Sequence, residues 1–133
     1  MNKDFILEIV TPARKVLSKE VNSVVLPATV GYMGILVNHA PLVNTLGYGI
    51  LRYRSEKKEE HVAIYGGFME VSKNKVSIMA DIAECASEID VERAKRAEER
   101  AREKLKKRDD LDTLSVEIAL RKAMIRLRTA RLG

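Results

Sequence analysis

The sequence predicts an α+β chain: an N-terminal antiparallel β-sandwich over residues 1–86, then a C-terminal antiparallel αα-hairpin over 87–133. Two observations predict it. Up to about residue 80 the apolar residues come in short, β-branched or aromatic runs bounded by turn residues, whereas from Ser87 onward they recur at a spacing near 3.6. The vocabulary changes at the same place: the last aromatic is Phe68, the last proline is Pro41, and no glycine stands between Gly67 and Gly133.

The strand segments are FILEIV (5–10), NSVVLP (22–27), GILRYRS (49–55), HVAIYG (61–66), FMEV (68–71) and KVSIMA (75–80). SEKKEE (55–60) is a charged hairpin tip, and SKNK (72–75) places Asn74 at a tight turn. Hairpin after hairpin implies an antiparallel sandwich or barrel of about seven or more strands. Gly66-Gly67 and Gly47-Tyr48-Gly49 mark bulges or close approaches between strands. GYMGILVNHAPLV (31–43) has two readings. It is either an exposed apolar contact loop, or a strand whose Met33, Ile35 and Val37 point inward and leave Tyr32 and His39 outside.

Val91, Ala94, Ala97, Ala101 and Leu105 fall on one face of a first helix. A second helix, starting near Leu111 or Thr113, carries Val116, Ala119, Ala123, Leu127 and Ala130, with RDDLD (108–112) as the turn between them. The seam is mostly alanine. At about 25 cal/mol per Å2 a methyl group buries far less than a leucine, so the hairpin is weakly cored and suited to docking on another surface or undocking from it.

The 133 residues carry 24 basic and 19 acidic side chains, a net +5 that permits a nucleic-acid partner without indicating one. No stretch approaches the ~20 apolar residues of a membrane span, and Glu8 and Pro12 interrupt any signal-like run near the N-terminus. The chain is therefore expected to be soluble and cytoplasmic, meeting a membrane only through partners. Cys85 is the single cysteine, which excludes an internal disulfide and a multi-cysteine zinc site. Walker A and HExxH patterns are absent, and GYGILR lacks the third glycine of a dinucleotide turn. His39 falls on a loop and His61 on a strand as a solvated or half-buried residue, without ligand-like spacing. No catalytic residue, no metal and no catalytic cofactor are expected.

SEIDVERAKRA (87–97) has two readings as well. Ser87-Glu88-Ile89-Asp90 fits a capping box, and Asp90 alone can cap a helix starting at Val91. The basic residues beyond it need another reason. At about 100° per residue Arg93 and Arg100 share a helix face, and residues 121–133 hold five basic residues and no acid. An antiparallel hairpin brings Arg93 and Arg100 toward Lys122 and Arg126. These cations either belong to solvated faces paired with Glu92, Glu98, Glu99 and Glu103, or converge on an anion such as a phosphorylated ligand.

Several ordered segments carry a family resemblance: ILEIVTP (6–12), GYMGILVNHAPLV, GGFMEV (66–71), VSIMADIAECASEID (76–90) and ALRKAMIRLRTA (119–130). Along essentially its whole length the chain resembles the epsilon subunits of bacterial F-type ATP synthase. The resemblance implies a non-catalytic rotor subunit of a proton- or sodium-translocating complex at the cytoplasmic face of the cell membrane. Its sandwich would bind the gamma subunit and the c-ring, and its movable hairpin would extend toward the alpha and beta subunits to inhibit ATP hydrolysis.

Ile89-Asp90-Val91-Glu92-Arg93-Ala94 matches the I/L-D-x-x-R-A motif of ATP-binding members. Position by position, the resemblance implies ATP contacts from Glu84, Ile89, Asp90, Arg93, Ala94, Arg100, Lys122 and Arg126. Lys122 stands where those members carry an arginine, and keeps the charge without the guanidinium fork. By position, Tyr32 and His39 would face the c-ring and gamma. Arg121, Lys122, Arg126 and Arg128 would meet an acidic surface of the catalytic subunits in the extended state.

Overall fold

The computed structural model describes residues 4–37, 39–107 and 113–133. Eight strands come first: β1 (Phe5–Val10), β2 (Lys15–Val21), β3 (Ser23–Ala28), β4 (Gly31–Leu36), β5 (Leu42–Ser55), β6 (Lys58–Ser72), β7 (Lys75–Ala80) and β8 (Ala83–Cys85). A single 3-10 turn (Ala86–Glu88) leads into helix α1 (Val91–Lys107), and helix α2 (Thr113–Leu132) ends the chain. The strand order is β2-β1-β7-β6-β5-β3-β4, with β8 pairing β6 beyond the end of β7.

All strand pairs are antiparallel except β1 with β7, which is parallel. This corrects the all-antiparallel expectation. Successive hairpins reveal only local pairing, whereas β1 meets β7 after a crossover that includes every strand between them.

One further segment decides between two sequence readings, and another departs from its reading. Residues 31–36 are strand β4, with Ile35 buried, Met33 and Val37 partly buried and Tyr32 exposed, so the inward-pointing alternative is the observed one. HVAIYG and FMEV are not two strands but parts of the continuous β6. The β5–β6 hairpin turns on Glu56 and Lys57, both at positive φ, and the β6–β7 turn places Asn74 at φ 59°.

The core is one cluster drawn from the strands. In β1, Phe5, Leu7 and Ile9 alternate inward and meet Val24, Leu26, Leu51, Met69 and Ile78. In β6 the stretch from His61 to Tyr65 is buried on both faces, Val62 and Ile64 toward this core and Ala63 and Tyr65 outside the cluster. His61 is accordingly buried, correcting the solvated or half-buried expectation, and its Nδ1 has no hydrogen-bond partner among the described residues.

Strand β6 changes partner from β7 to β8 beside Gly66 (φ +79°) and Gly67 (φ +125°). A Cβ on Gly67 would lie 2.2 Å from the Met79 carbonyl oxygen, so the strand can take this corner only without a side chain there. Gly49 serves a close approach: its missing Cβ leaves room for the Tyr32 hydroxyl, which accepts the Ile50 N–H at 3.1 Å.

Helix α2 packs on β5, β6 and the 3-10 turn, and α1 packs against α2. The seam is narrower than the periodicity suggests. Ala94 and Ala101 of α1 and Ala123, Leu127 and Thr129 of α2 are buried, whereas Val91 and Ala119 are exposed. Because α2 faces both α1 and the sheet, its buried sector turns toward Thr129, whose hydroxyl is satisfied by donating to the Ile125 carbonyl at 2.7 Å. The turn expected at 108–112 lies outside the described residues.

Candidate functional site

The hinge between sandwich and hairpin is built from successive caps. Glu88 Oε1 accepts the Cys85 N–H at 3.0 Å, which closes the 3-10 turn. Asp90 Oδ1 accepts the Arg93 N–H at 3.1 Å and caps α1. The capping box expected from Ser87 to Asp90 is therefore replaced by two separate devices, because Ser87 lies inside the 3-10 turn, whose N-cap is Cys85. Loss of an N-cap costs about 1 kcal/mol. Asp90→Ala is expected to lower stability by about that much, with faster amide exchange confined to the first turn of α1, measured by hydrogen-exchange NMR.

Above this hinge lies a cleft of about 340 Å3 lined by Glu84, Glu88, Asp90, Arg93, Ala94, Ala97, Arg100 and Arg126. Six of the eight residues assigned to ATP by resemblance line it: Glu84 from β8, Asp90 at the cap of α1, Arg93 and Ala94 from its first turn, Arg100 from its middle, and Arg126 from α2. The antiparallel hairpin joins residues more than twenty positions apart. Ile89 is half-buried at the joint but not among the lining residues. Lys122 is turned away, its Nζ 6.0 Å from the centre of the Tyr48 ring, so the convergence expected of four cations is met by three arginines.

The three arginines are not equivalent. Arg126 Nε donates to Glu84 Oε1 at 2.5 Å, and its guanidinium lies over the Tyr65 ring at 5.2 Å. Burial opposes its charge, but the Glu84 hydrogen bond and the contact with Tyr65 outweigh this and hold the guanidinium more firmly protonated than usual. This pair crosses from strand to helix, so Arg126, in a stretch with no acid of its own, finds one on β8. On α1, by contrast, Lys95, Arg102 and Lys106 pair with Glu92, Glu98 and Glu103, as a solvated face predicts. Arg93 and Arg100 have no ion-pair partner among the described residues and face the cleft. Arg100 spends its Nε on the Arg96 carbonyl at 3.4 Å, and guanidinium groups gathered in this way suit the oxygens of a phosphate.

Local sequence patterns had not singled out Glu88 as a cleft residue, nor Tyr48, Tyr65 and Arg14 as its supports. Tyr65 is almost fully buried with its hydroxyl unpartnered among the described residues, and burial pushes its ionisation well above the ordinary range. Tyr48 stands edge-on to Tyr65 at 5.9 Å and lies under Arg121 at 5.3 Å. These contacts across strands and helix leave no short-range signature.

Two groups give the hinge a pH response. Its hydrogen bond to Arg14 holds the Glu88 carboxyl below its ordinary value of 4.5, while burial, with Glu88 beside it, pushes the Cys85 thiol from 9.0 to about 11. A lowered carboxyl stabilises the fold above its unfolded pKa, and that contribution is lost as pH falls through the folded value. A raised thiol stabilises below its unfolded pKa, and its contribution is lost as pH rises through the folded value. Melting temperature is therefore expected to decline below about pH 4.5 and again from about pH 9 toward 11. Glu88→Gln would remove part of the acid limb, as read by thermal melts across pH.

Tyr32 and His39 lie elsewhere. His39 is exposed on the β4–β5 connection, its Nδ1 donating to the Ala40 carbonyl at 2.8 Å. Tyr32 shares a second cleft, of about 510 Å3, with Tyr48, Arg121, Met124, Arg128 and Arg131, so residues that the resemblance assigns to different partners line one cleft along α2. No cluster of three or more metal-ligating side chains occurs among the described residues, and no helix among them is long and apolar enough to cross a membrane.

A β-sandwich carrying a docked two-helix hairpin, with an acid–arginine cleft at the joint, defines a two-part architecture. Both parts match family models: residues 4–86 the ATP synthase delta/epsilon chain β-sandwich domain, and residues 87–131 the delta/epsilon chain long α-helix domain. The chain belongs to the ATP synthase delta/epsilon family. Relatives named as the ATP synthase epsilon chain, not as a catalytic subunit, include that of Desulfitobacterium hafniense, 45% identical with 96% of each chain covered. That of Carboxydothermus hydrogenoformans is 55% identical over 77% of this chain and 76% of its own. Among solved structures, a chain of the Euglena gracilis mitochondrial ATP synthase has a TM-score of 0.82 at 29% identity, covering all of this chain and 84% of its own. A chain of the Tetrahymena thermophila mitochondrial ATP synthase has a TM-score of 0.59 at 16% identity over 96% of this chain and 93% of its own, a likeness of fold.

Proposed function

We propose that this chain is a rotor subunit of the synthase central stalk whose C-terminal hairpin senses ATP and restrains ATP hydrolysis. The sandwich joins the gamma subunit and the c-ring, with Tyr32 and His39 on the contact surface, and the complex provides the only tie to the membrane. Bound ATP acts as a regulatory ligand, neither substrate nor catalytic cofactor, and holds the hairpin against the sandwich. When the hairpin extends, Arg121, Lys122, Arg126 and Arg128 reach acidic surfaces of the alpha and beta subunits.

One observation carries the nucleotide part of this reading: Arg93 and Arg100, neither with an ion-pair partner among the described residues, line a cleft to which the docked α2 adds Arg126. ATP favours the docked state to the extent that it binds that state better, and a cleft shared by both helices exists in that state alone. Titrating the full-length chain with ATP, GTP and a short DNA duplex by calorimetry tests it. Saturable ATP binding weakened by Arg93→Ala supports the sensor. No ATP heat at millimolar ligand would remove the nucleotide role, and DNA binding with a steep salt dependence would favour a nucleic-acid module instead.

A further inference from the structure

We propose that Arg14, remote from the cleft in sequence, is a positioning residue for the anionic ligand: it pins the hinge and neutralises Glu88, one of the cleft carboxylates that would repel that ligand. The inference rests on the anion-binding reading of the cleft.

Arg14 sits at the end of the β1–β2 turn, and that turn is closed on itself. The Thr11 N–H donates to the Arg14 carbonyl at 2.9 Å, and the Arg14 N–H donates to Thr11 Oγ1 at 3.2 Å. From this fixed base the guanidinium reaches two points of the hinge: Nη1 to Glu88 Oε2 at 2.8 Å and Nη2 to the Ala83 carbonyl at 3.4 Å. Glu88 uses its other oxygen on the Cys85 N–H. Both carboxylate oxygens are thus occupied on the hinge side, and the segment from Ala83 to Glu88, which carries Glu84 and leads into Asp90 and Arg93, is braced against the sandwich.

Stability is not the main effect. The two side chains are 46% and 38% exposed, and ion pairs that open to solvent contribute little. Charge balance matters more. The lining sets three arginines against three carboxylates, Glu84, Glu88 and Asp90, leaving no surplus for an anion. Arg14, outside the lining, supplies the surplus positive charge through Glu88. The lowered carboxyl of Glu88, caused first by this hydrogen bond, accords with that arrangement.

The test uses the full-length chain. At low salt Arg14→Ala is expected to weaken ATP binding about fivefold, the size of one added repulsion across several ångströms of partly wet cleft. Adding Glu88→Gln to Arg14→Ala should return affinity to within about twofold of the unsubstituted chain, and Arg14→Lys should retain most of it. A readout free of nucleotide is the titration of Glu88 by carboxyl-carbon NMR, whose midpoint should rise into the ordinary carboxylate range in Arg14→Ala. A Glu88 midpoint indifferent to Arg14→Ala would overturn the clasp while leaving the nucleotide reading intact. Failure of Glu88→Gln to rescue would overturn the charge role. No ATP binding by the unsubstituted chain would overturn the nucleotide reading, and with it the ligand half of this inference.

Discussion

Arg126→Ala is expected to weaken ATP binding by about 10- to 100-fold and to loosen the docked hairpin. A charge-assisted hydrogen bond from a guanidinium to phosphate contributes about 1.5–3 kcal/mol, which sets that range. The same substitution leaves Glu84, with a side chain 27% exposed, facing the cleft without its partner. An unpaired, partly buried carboxylate costs about 1–2 kcal/mol, less than a fully buried one because water still reaches it. It also removes the guanidinium that lies over the Tyr65 ring, so α2 loses a polar and an aromatic anchor together. Calorimetry reads the affinity, and hydrogen exchange along α2 reads the loosening. Arg126→Lys should recover part of the charge and little of the geometry, since Lys cannot both donate to Glu84 and lie flat over the ring.

Gly67→Ala is expected to be the most damaging single methyl group in the sandwich. The added Cβ meets backbone atoms, Met79 O at 2.2 Å and Ala80 Cα at 2.7 Å, and the residue is held at φ +125°. Neither backbone clash nor backbone strain can be relieved by a rotamer change, so a loss of about 3 kcal/mol or more is expected. That corresponds to a fall in Tm on the order of 10 °C for a chain of this size. Gly34→Ala is the control: nothing lies within 4 Å of its Cβ position and its φ is ordinary, so its melt should stay near that of the unsubstituted chain.

Which parts of this structure were legible in the sequence follows from the range of the interactions that determine them. FILEIV and KVSIMA match β1 and β7 residue for residue, because a half-buried strand writes its alternation into adjacent residues. Their mutual parallel pairing was invisible, since nothing local marks two segments that pair across five intervening strands of the chain. Residues 15–21 passed unnoticed as a strand: β2 is an edge strand, mostly exposed, with little apolar pattern to betray it.

The cleft divides in the same way. Arg93 and Arg100 were legible because they share a helix face, and Asp90 because it caps that helix, whereas Ala94 and Glu84 came only with the family resemblance. Arg126 followed from the antiparallel hairpin. Lys122 did not, because helical phase alone does not distinguish the cleft from the Tyr48 ring that its long stem reaches. Arg14 and Glu88, joined by a turn at the opposite end of the chain, could be found only from coordinates.

The regulatory role of the hairpin is the central claim, and it is tested most directly by ATP hydrolysis in the assembled complex, with the chain either intact or ending at Ala86. Among the described residues the core cluster of the sandwich draws no side chain from the hairpin, so the shortened chain should still fold and assemble, despite exposing the face around Tyr65. The account predicts faster hydrolysis without residues 87–133, most clearly at low ATP where the hairpin is least held down. Equal hydrolysis by the two fully assembled complexes at low ATP would contradict it.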